Sequence, residues 1–376
     1  MDSEAVYKEE LVIFLSKCLS QNRPFYAFQL PESEEIKIGT QKETKLVSYQ
    51  HLFELGGKAG FVFAPFHQDE KHLSWFIRSD IFLSEKDITK DSLQVLDALE
   101  YNSERRDLNS ETHVSSQEEY FEQIKFMIAD LQQKKLDKVI LSRIQTIDDS
   151  GKTNAVDSFL KLSRVYPSAF VFFVVIPSAG TWIGASPETL LIADDSGVKT
   201  MALAGTQSLG DRKMEDIQWA RKEIEEQAYV SKYIEQILSK HELNSFIRKG
   251  PETVRAANIV HLQTSYQLSV VPDFQKLAAL VEDLHPTPAV CGLPILQAQK
   301  LIRKQENHDR EYYAGYLGPI AANGSLSLFV NLRSMKVLKD KMALFVGGGI
   351  TADSIPEKEW EETCLKAQTL LNVIRK

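Results

Sequence analysis

The sequence predicts an α/β protein of the α+β kind, in which mixed or antiparallel sheets pack against flanking helices. Three observations favour this class. The chain has 376 residues, 43% of them hydrophobic and 26% charged, so it can bury a large core with an ordinary globular composition. Apolar strands alternate with helical segments from about residue 138 onward. Several strands also follow one another with no helix between them, which argues against a doubly wound parallel sheet.

The overall charge and the cysteines exclude several classes of protein. A formal net charge of −8 argues against a nucleic-acid or anionic-membrane partner, since both call for a basic face. The three cysteines (Cys18, Cys291 and Cys364) show no CxxC spacing, which excludes a disulfide framework and a thiolate zinc site. No apolar run approaches the roughly 18 residues of a membrane span, and acidic residues interrupt the N-terminal apolar stretch. We therefore expect a cytoplasmic protein.

The chain divides near residue 112. Residues 1–112 mix short apolar patches with polar turns and carry no catalytic spacing, and residues 102–118 are polar, charged and typical of a linker. Ser116 and Glu119 then form a predicted capping box that opens a helix. One face of that helix is apolar and comprises Tyr120, Ile124, Met127, Ile128 and Leu131.

Hydrophobic patterning predicts the elements that follow. Residues 168–177 are apolar on both faces, which indicates a fully buried strand. A long helix is expected from about Met214 to Lys240, and a last helix begins near Pro356. The remaining predictions are a helix at 157–166 and strands at 138–147, 181–193, 198–207, 327–338 and 341–351.

Two pairs of glutamates could bind a metal ion. Glu223 and Glu226 lie three residues apart on one predicted helix, and Glu359 and Glu362 repeat that spacing on the last helix. Residues at i and i+3 share a helix face, so two such helices across a cleft could present four carboxylates to a hard cation such as Mg²⁺. A di-iron centre fits less well, because no Glu-x-x-His pattern is present. The same spacing is also common on solvated helix faces, and from spacing alone that interpretation is favoured.

A glycine triplet ends one of the apolar strands. Gly347, Gly348 and Gly349 would let backbone amides approach an anion closely. The triplet matches no Walker or Rossmann fingerprint, and a tight turn is the simpler interpretation.

Five single residues are further candidates. Lys138 opens an apolar strand, where burial could turn it into a base, although its ammonium could equally reach water. Glu188 follows Ser-Pro at a strand bend and could stay protonated as an acid, or be an ordinary turn carboxylate. His261 and His285 could donate hydrogen bonds to a substrate or simply be packed. Arg333, within a predicted strand, could clamp a carboxylate.

The second half of the chain resembles the chorismate-utilising enzymes. This family contains isochorismate synthases, salicylate synthases and the large subunits of anthranilate and aminodeoxychorismate synthases. The motifs that carry the resemblance are, in order, DKVILSR, GASPETLL, ALAGTQ, KEIEEQ, VHLQTS, HPTPAVCGLP, DREYYAGYLG, NLRSM and GGGITADSIPEKEWEET. The resemblance covers roughly residues 113–376, which we expect to be the catalytic core. The N-terminal third matches weakly and is expected to belong to the same large fold.

The resemblance implies a member that uses water as its nucleophile. Isochorismate and salicylate synthases carry lysine at the position of Lys138, where the ammonia-using enzymes carry glutamine. Water needs a base before it can attack, whereas ammonia is already a nucleophile. Ala204 stands where aminodeoxychorismate synthases place a nucleophilic lysine, which excludes covalent catalysis there.

The resemblance also implies roles for individual residues. Lys138 would deprotonate a water that attacks carbon 2 of chorismate, and Glu188 would protonate the hydroxyl that leaves carbon 4. Glu226 and Glu362 would bind Mg²⁺ directly, with Glu223 and Glu359 behind them. The residues expected to contact the substrate are Gly205, Thr206, His261, Ala289, Tyr313, Arg333, Gly347, Gly348, Gly349 and Lys366.

Two positions, Gln227 and Tyr313, depart from the common pattern. Gln227 stands where many relatives have histidine. Tyr313 is typical of the pyruvate-eliminating enzymes, whereas Ala289 is typical of the synthases. We therefore expect a magnesium-dependent isochorismate synthase, with a salicylate synthase or a non-catalytic chorismate-binding relative as alternatives. The product could enter menaquinone or siderophore synthesis, and a monomer or weak oligomer is expected.

Overall fold

The computed structural model describes residues 9–99, 112–148, 154–256 and 259–375. Most of the predicted linker, residues 102–111, lies outside the described residues. Across these ranges, no helix combines the length and the apolar character needed to cross a membrane.

Eighteen strands and eight α-helices make up the described part of the chain. The strands are β1 (Phe25–Gln29), β2 (Ile36–Thr40), β3 (Val47–Tyr49), β4 (Gly60–Ala64), β5 (Ser74–Arg78), β6 (Ile81–Ser84), β7 (Lys138–Asp148), β8 (Phe170–Ile176), β9 (Gly180–Ser186), β10 (Thr189–Asp194), β11 (Gly197–Ser208), β12 (Ile247–Ala256), β13 (Ile259–Leu268), β14 (Gly292–Leu293), β15 (Tyr316–Ile320), β16 (Leu326–Val330), β17 (Ser334–Val337) and β18 (Lys341–Ile350). The helices are α1 (Glu9–Ser20), α2 (Lys90–Asp97), α3 (Gln117–Gln132), α4 (Ala155–Val165), α5 (Arg221–Lys240), α6 (Phe274–Leu284), α7 (Ile295–Gln305) and α8 (Pro356–Ile374).

The strands form two nine-stranded sheets. Sheet A has the order β14-β7-β18-β17-β9-β8-β1-β2-β6, and sheet B has the order β12-β13-β11-β10-β16-β15-β4-β5-β3. Every strand pairing within the described residues is antiparallel. The predicted class, antiparallel sheets with flanking helices, is therefore confirmed. The first 99 residues supply three strands to each sheet.

The two sheets face each other across the larger of two hydrophobic cores. Phe170 of sheet A stacks on Phe329 of sheet B with ring centroids 4.0 Å apart, and Tyr26 stacks on Phe61 at 4.6 Å. The second core lies on the other side of sheet A, under α1, α2, α4 and α8. Strand β8 contributes alternate residues to both cores, so it is buried on both faces as predicted.

Helix α3 begins at the predicted cap. The Ser116 side chain accepts a hydrogen bond from the Glu119 amide, which confirms the N-cap. The Glu119 carboxylate also interacts with the Ser116 backbone, as the predicted capping box requires. It accepts hydrogen bonds from Asn307 and contacts His113 at 2.7 Å, so it joins α3 to a neighbouring segment.

Two segments predicted as single strands each pass from one sheet to the other. Residues 181–193 form β9 in sheet A and β10 in sheet B, and residues 327–338 form β16 in sheet B and β17 in sheet A. The single-strand predictions were wrong because the local sequence does not show which partner strand each residue pairs with. Pro187 has no amide to donate at the first crossing. Arg333, at the second, has a φ of +47°, so it lies between strands and not within one.

Two hydrogen bonds join the two crossings. The Val330 amide donates to the Glu188 carbonyl at 3.0 Å, and the Ser186 hydroxyl donates to the Val330 carbonyl at 2.6 Å. This arrangement fixes Glu188 and Arg333 on adjacent stretches of backbone, where the two sheets meet.

Helix α5 begins seven residues later than the sequence predicts. Met214–Asp216 forms a short 3-10 turn, and α5 starts at Arg221. The Trp219 indole donates to the Thr253 hydroxyl at 2.9 Å, which holds the preceding segment against β12. The helical periodicity of the sequence does not predict this tertiary contact.

Candidate active site

A cavity of about 780 Å³, part of it open to solvent, lies where the strands cross between the sheets. Most of the predicted site residues line it. These are Glu188, Gly205, Thr206, Glu226, His261, Ala289, Tyr313, Arg333, Gly347, Gly348, Gly349, Glu362 and Lys366. Apolar side chains that the sequence did not single out complete the lining, among them Leu203, Leu332 and Phe345. The cavity therefore combines apolar walls with a few convergent polar groups, as expected of a small-molecule site.

The glycine triplet forms an extended strand beside this cavity. Gly347, Gly348 and Gly349 pair with Ser142, Leu141 and Ile140 of β7, so the predicted tight turn is wrong. At position 349 glycine is needed for space. A Cβ on Gly349 would lie 2.6 Å from Oε1 of Glu226, whereas a Cβ on Gly348 would meet nothing closer than 3.8 Å.

Two of the triplet's backbone groups point away from β7. The amides of their partners Ser142 and Ile140 donate to Glu306 and to the Cys291 carbonyl, on the far side of β7. In an antiparallel ladder, opposed residues that do not hydrogen-bond to each other turn their N–H and C=O groups away from the partner strand. Gly347 and Gly349 therefore direct their amides to the opposite side of β18.

That side of β18 is open next to the triplet. Strand β17 pairs with β18 only as far as Phe345, opposite Ser334. The Gly347 carbonyl accepts a hydrogen bond at 2.9 Å from the Lys366 ammonium, which lines the cavity. The amides of Gly347 and Gly349 are thus available to an anion at this edge.

Glu188 is buried in the cavity wall. Its side chain is almost inaccessible to solvent, and burial raises its pKa to about 7 even though the Thr287 hydroxyl and the ammonium groups of Lys138 and Lys366 lower it. Thr287 Oγ1 donates to Glu188 Oε1 at 3.1 Å. The carboxyl group can therefore carry a proton near neutral pH and release it to a bound molecule.

His261 and Arg333 form a hydrogen-bonded pair on another wall. Nδ1 of His261 lies 2.7 Å from the Gly205 carbonyl, which can only accept, so Nδ1 carries the proton. Arg333 Nη2 then donates to His261 Nε2 at 2.6 Å. Burial, and then the charge of Arg333, lower the pKa of His261 to about 3, which keeps the ring neutral. Both nitrogens are occupied, so His261 positions Arg333, and the predicted donation to a substrate does not fit this geometry.

Arg333 presents a cationic group without a carboxylate partner. Burial lowers its pKa to about 10, so it remains charged at neutral pH. Within the described ranges no carboxylate lies within 4 Å of its guanidinium. Such a group favours binding an anionic ligand.

Gly205 lies in a β-bulge of β11. The register with β13 slips between Ala204 and Gln207, and Gly205 has a φ of +71°, a conformation that other residues rarely adopt. A Cβ there would lie 3.2 Å from both Glu223 and Trp219. The bulge therefore brings the Gly205 and Thr206 backbone close to the start of α5.

Three of the four predicted metal-binding carboxylates are paired with lysines. Lys138 Nζ lies 2.7 Å from Glu226, Lys366 Nζ lies 2.8 Å from Glu362, and Lys222 contacts Glu359. Burial alone would raise the pKa of Glu226, but Lys138, Lys222 and Lys366 together lower it. Over the described residues, no three acidic, histidine or cysteine side chains converge on a point that could hold a metal ion.

The donor set nevertheless suits a hard cation. Glu359 is only 2% exposed, and burial raises the pKa of its carboxyl group. Its Oε2 atom and the Oε2 atom of Glu223 are buried and have no hydrogen-bond partner in the described structure. Buried carboxylate oxygens without donors are costly, and Mg²⁺ prefers oxygen ligands of this kind. The metal assignment stays a prediction that these residues fit.

Lys138 is fully buried, which contradicts the alternative of an ammonium that reaches water. It shares a face of β7 with Ile140, which lines the cavity, but Lys138 itself is absent from the lining that the structure describes. Its ammonium contacts Glu226, which does line the cavity.

Two residues singled out in the sequence lie elsewhere. His285 packs edge-on against Tyr316 and its Nε2 lies 3.2 Å from the Pro65 carbonyl, so the suggested contact with a substrate is wrong. Gln227 donates to the Ala202 carbonyl and to Thr264, which fastens α5 to sheet B.

Thr287 and Lys222 were missed. Thr287 belongs to the HPTPAV motif and Lys222 to KEIEEQ, so the motifs pointed to both positions, but only the structure shows their carboxylate partners.

Comparison with known proteins agrees with this geometry. A family model for chorismate-binding enzymes matches residues 60–375. The vibriobactin-specific isochorismate synthase of Vibrio cholerae is 29% identical over 262 residues, covering 68% of this chain and 66% of that relative. Isochorismate synthase EntC of Escherichia coli K12 is 30% identical over 251 residues, covering 63% and 62%. Both matches span slightly less than two thirds of the relative's own length.

A solved structure extends the similarity to almost the whole chain. It is described as a 2,3-dihydroxybenzoate-specific isochorismate synthase, DhbC, from Bacillus anthracis, and it superposes with a TM-score of 0.77 at 25% identity. The alignment covers 94% of this chain and 96% of that one. Because the family model spans most of the sequence, this chain belongs to the chorismate-binding enzyme family.

Proposed function

We propose that this chain is a magnesium-dependent isochorismate synthase, an isomerase that adds water to carbon 2 of chorismate and expels the hydroxyl of carbon 4. The observation that carries the proposal is the buried Glu188, whose pKa is raised to about 7, in a cavity that also contains the Arg333 guanidinium, without a carboxylate partner in the described structure, and metal-type carboxylates. The named relatives support the same activity.

Chorismate carries two carboxylates, and the cavity offers a place for each. The Arg333 guanidinium and the amides of Gly347 and Gly349 would bind the enolpyruvyl carboxylate. The backbone of Gly205 and Thr206 would face the ring carboxylate, near Glu226 and Glu362. These two contacts would fix the ring against Glu188, which is the positioning that such a reaction requires.

A cation is needed because the substrate is a dianion. Glu223, Glu226, Glu359 and Glu362 outnumber the three lysines that pair with them, so the remaining negative charge would repel the substrate. Mg²⁺ bound by Glu226 and Glu362, with Glu223 and Glu359 behind them, would neutralise the ring carboxylate.

The acid and the base would then act on the ring. Lys138 would accept a proton from the attacking water, and Glu188 would give its proton to the departing hydroxyl, which leaves as water. One carbon–oxygen bond forms, another breaks and the ring double bonds shift, so the reaction is an isomerisation. Tyr313 is typical of the pyruvate-eliminating enzymes, whereas Ala289 is typical of the synthases. Both residues line the cavity.

We further propose a cytoplasmic location and a monomer or weak oligomer. The three cysteines are free thiols, which supports a reducing compartment. Whether the product enters menaquinone or siderophore synthesis depends on the enzyme that consumes it.

The proposal is tested by incubating the purified chain with chorismate and Mg²⁺, resolving the products by chromatography and assaying pyruvate. We expect isochorismate without pyruvate, and no turnover after chelation. Salicylate with an equal amount of pyruvate would identify a lyase, and tight binding without turnover would identify a non-catalytic relative.

A further inference from the structure

Lys222 lies among the predicted metal-binding carboxylates. Its ammonium contacts Glu359 Oε1, and its side chain is only 28% exposed. Burial alone would lower its pKa, but Glu359, Glu362 and Glu226 together raise it. A single ammonium group therefore interacts with three of the four carboxylates assigned to the metal.

The position of Lys222 along its helix is unfavourable in itself. It is the second residue of α5, and the N-terminal end of a helix dipole disfavours a positive charge. The adjacent carboxylates compensate for that cost, so the cation is placed where their negative charge is concentrated.

Lys222 contacts only one of the two carboxylate oxygens of Glu359. Oε1 contacts Lys222, while the buried Oε2 atom has no hydrogen-bond partner among the described residues. A cation with several coordination positions could bind both oxygens and the neighbouring carboxylates, which one ammonium group cannot do.

We propose that the Lys222 ammonium neutralises these carboxylates in the metal-free protein. It must leave Glu359 when a divalent ion binds. The inference rests on the metal site of the proposed function. Lys222 would then weaken Mg²⁺ binding while it stabilises the metal-free protein, because the ion must displace it.

The test compares Lys222→Met with wild type by calorimetric titration with MgCl₂ alone, without chorismate. We expect the variant to bind Mg²⁺ about tenfold more tightly, since the ion no longer displaces a partly buried ion pair. We also expect a lower melting temperature for the metal-free variant and a larger rise on adding Mg²⁺. Lys232→Met, on an exposed position of the same helix, is the matched control and should behave as wild type.

Equal or weaker Mg²⁺ binding by Lys222→Met would overturn the inference and make Lys222 a group that orients Glu359. If that variant fails to fold, Lys222→Gln takes its place with the same expectations. Absence of Mg²⁺ binding by the wild-type chain would overturn the metal assignment as well, which separates the two failures.

Discussion

At the scale of single residues, burial decides what the polar groups of the cavity can do. The pKa of Glu188 is raised because the protein interior disfavours its charge, and His261 stays neutral for the same reason. Thr287 is the one hydroxyl seen donating to the Glu188 carboxyl in the described structure. The acid strength of Glu188 is therefore set by burial, by this one donor and by the charges of Lys138 and Lys366.

Replacing Glu188 with Gln removes the transferable proton but keeps the shape. We expect kcat to fall by roughly 10²- to 10⁴-fold, the usual contribution of a general acid. The wild-type kcat should also fall as pH rises through about 7, because Glu188 then loses its proton. Steady-state kinetics across pH measure both effects, and a Glu188→Gln enzyme with normal kcat would remove Glu188 from the chemistry.

Thr287→Val deletes the donor that favours the ionised form of Glu188. The pKa of Glu188 should rise, so the alkaline decline of kcat should move to higher pH. Thr287→Ser keeps the hydroxyl and should restore the wild-type profile. An unchanged profile in Thr287→Val would show that this hydrogen bond does not tune the acid.

At the scale of elements, the shape of the cavity depends on how closely strand β18 packs against the side chains around it. Gly349 lies against Glu226, and Gly347 lies near the Tyr313 hydroxyl. The neighbouring strand β7 is tied to the end of α7 by the buried Glu306–Arg310 pair, whose guanidinium also donates to the Ile140 carbonyl. Side-chain volume and buried charge thus hold the cavity wall in place.

Gly349→Ala should disturb the metal site while Gly348→Ala should not. The new methyl group on residue 349 would lie 2.6 Å from Glu226 Oε1, so that carboxylate must move, whereas residue 348 has ordinary space. We expect the Mg²⁺ concentration for half-maximal rate to rise at least about tenfold in Gly349→Ala only. Similar Mg²⁺ dependence in the two variants would show that Glu226 tolerates displacement.

Arg310→Met leaves the Glu306 carboxylate buried without its cation. We expect the free energy of unfolding to fall by about 3–5 kcal/mol, as is usual when one partner of a buried pair is lost. Urea denaturation measures the change. Arg221→Met removes a solvent-exposed pair with Glu225 and should leave the unfolding curve unchanged. Equal effects in the two variants would contradict the structural role of Arg310.

At the scale of the whole molecule, local sequence patterns predicted the elements better than their assembly. The apolar strand at 168–177 could be predicted, because its alternate residues pack into the two cores and both faces are therefore apolar. The crossings at Pro187 and Arg333 were not, because sheet membership depends on pairings between residues far apart in sequence.

The same limit applies to the candidate site. Motifs located Glu188, Glu226 and the glycine triplet, since these residues stand in short recognisable stretches. The tautomer of His261 and the contact between Lys222 and Glu359 could not be predicted, because each joins elements that meet only in the folded chain.

The most direct test of the account is the source of the new hydroxyl. Chorismate and Mg²⁺ are incubated with the chain in H₂¹⁸O, and early product is analysed by mass spectrometry. The account predicts isochorismate with one solvent oxygen at carbon 2 and no pyruvate. Unlabelled isochorismate would contradict attack by water and exclude the proposed roles of Lys138 and Glu188.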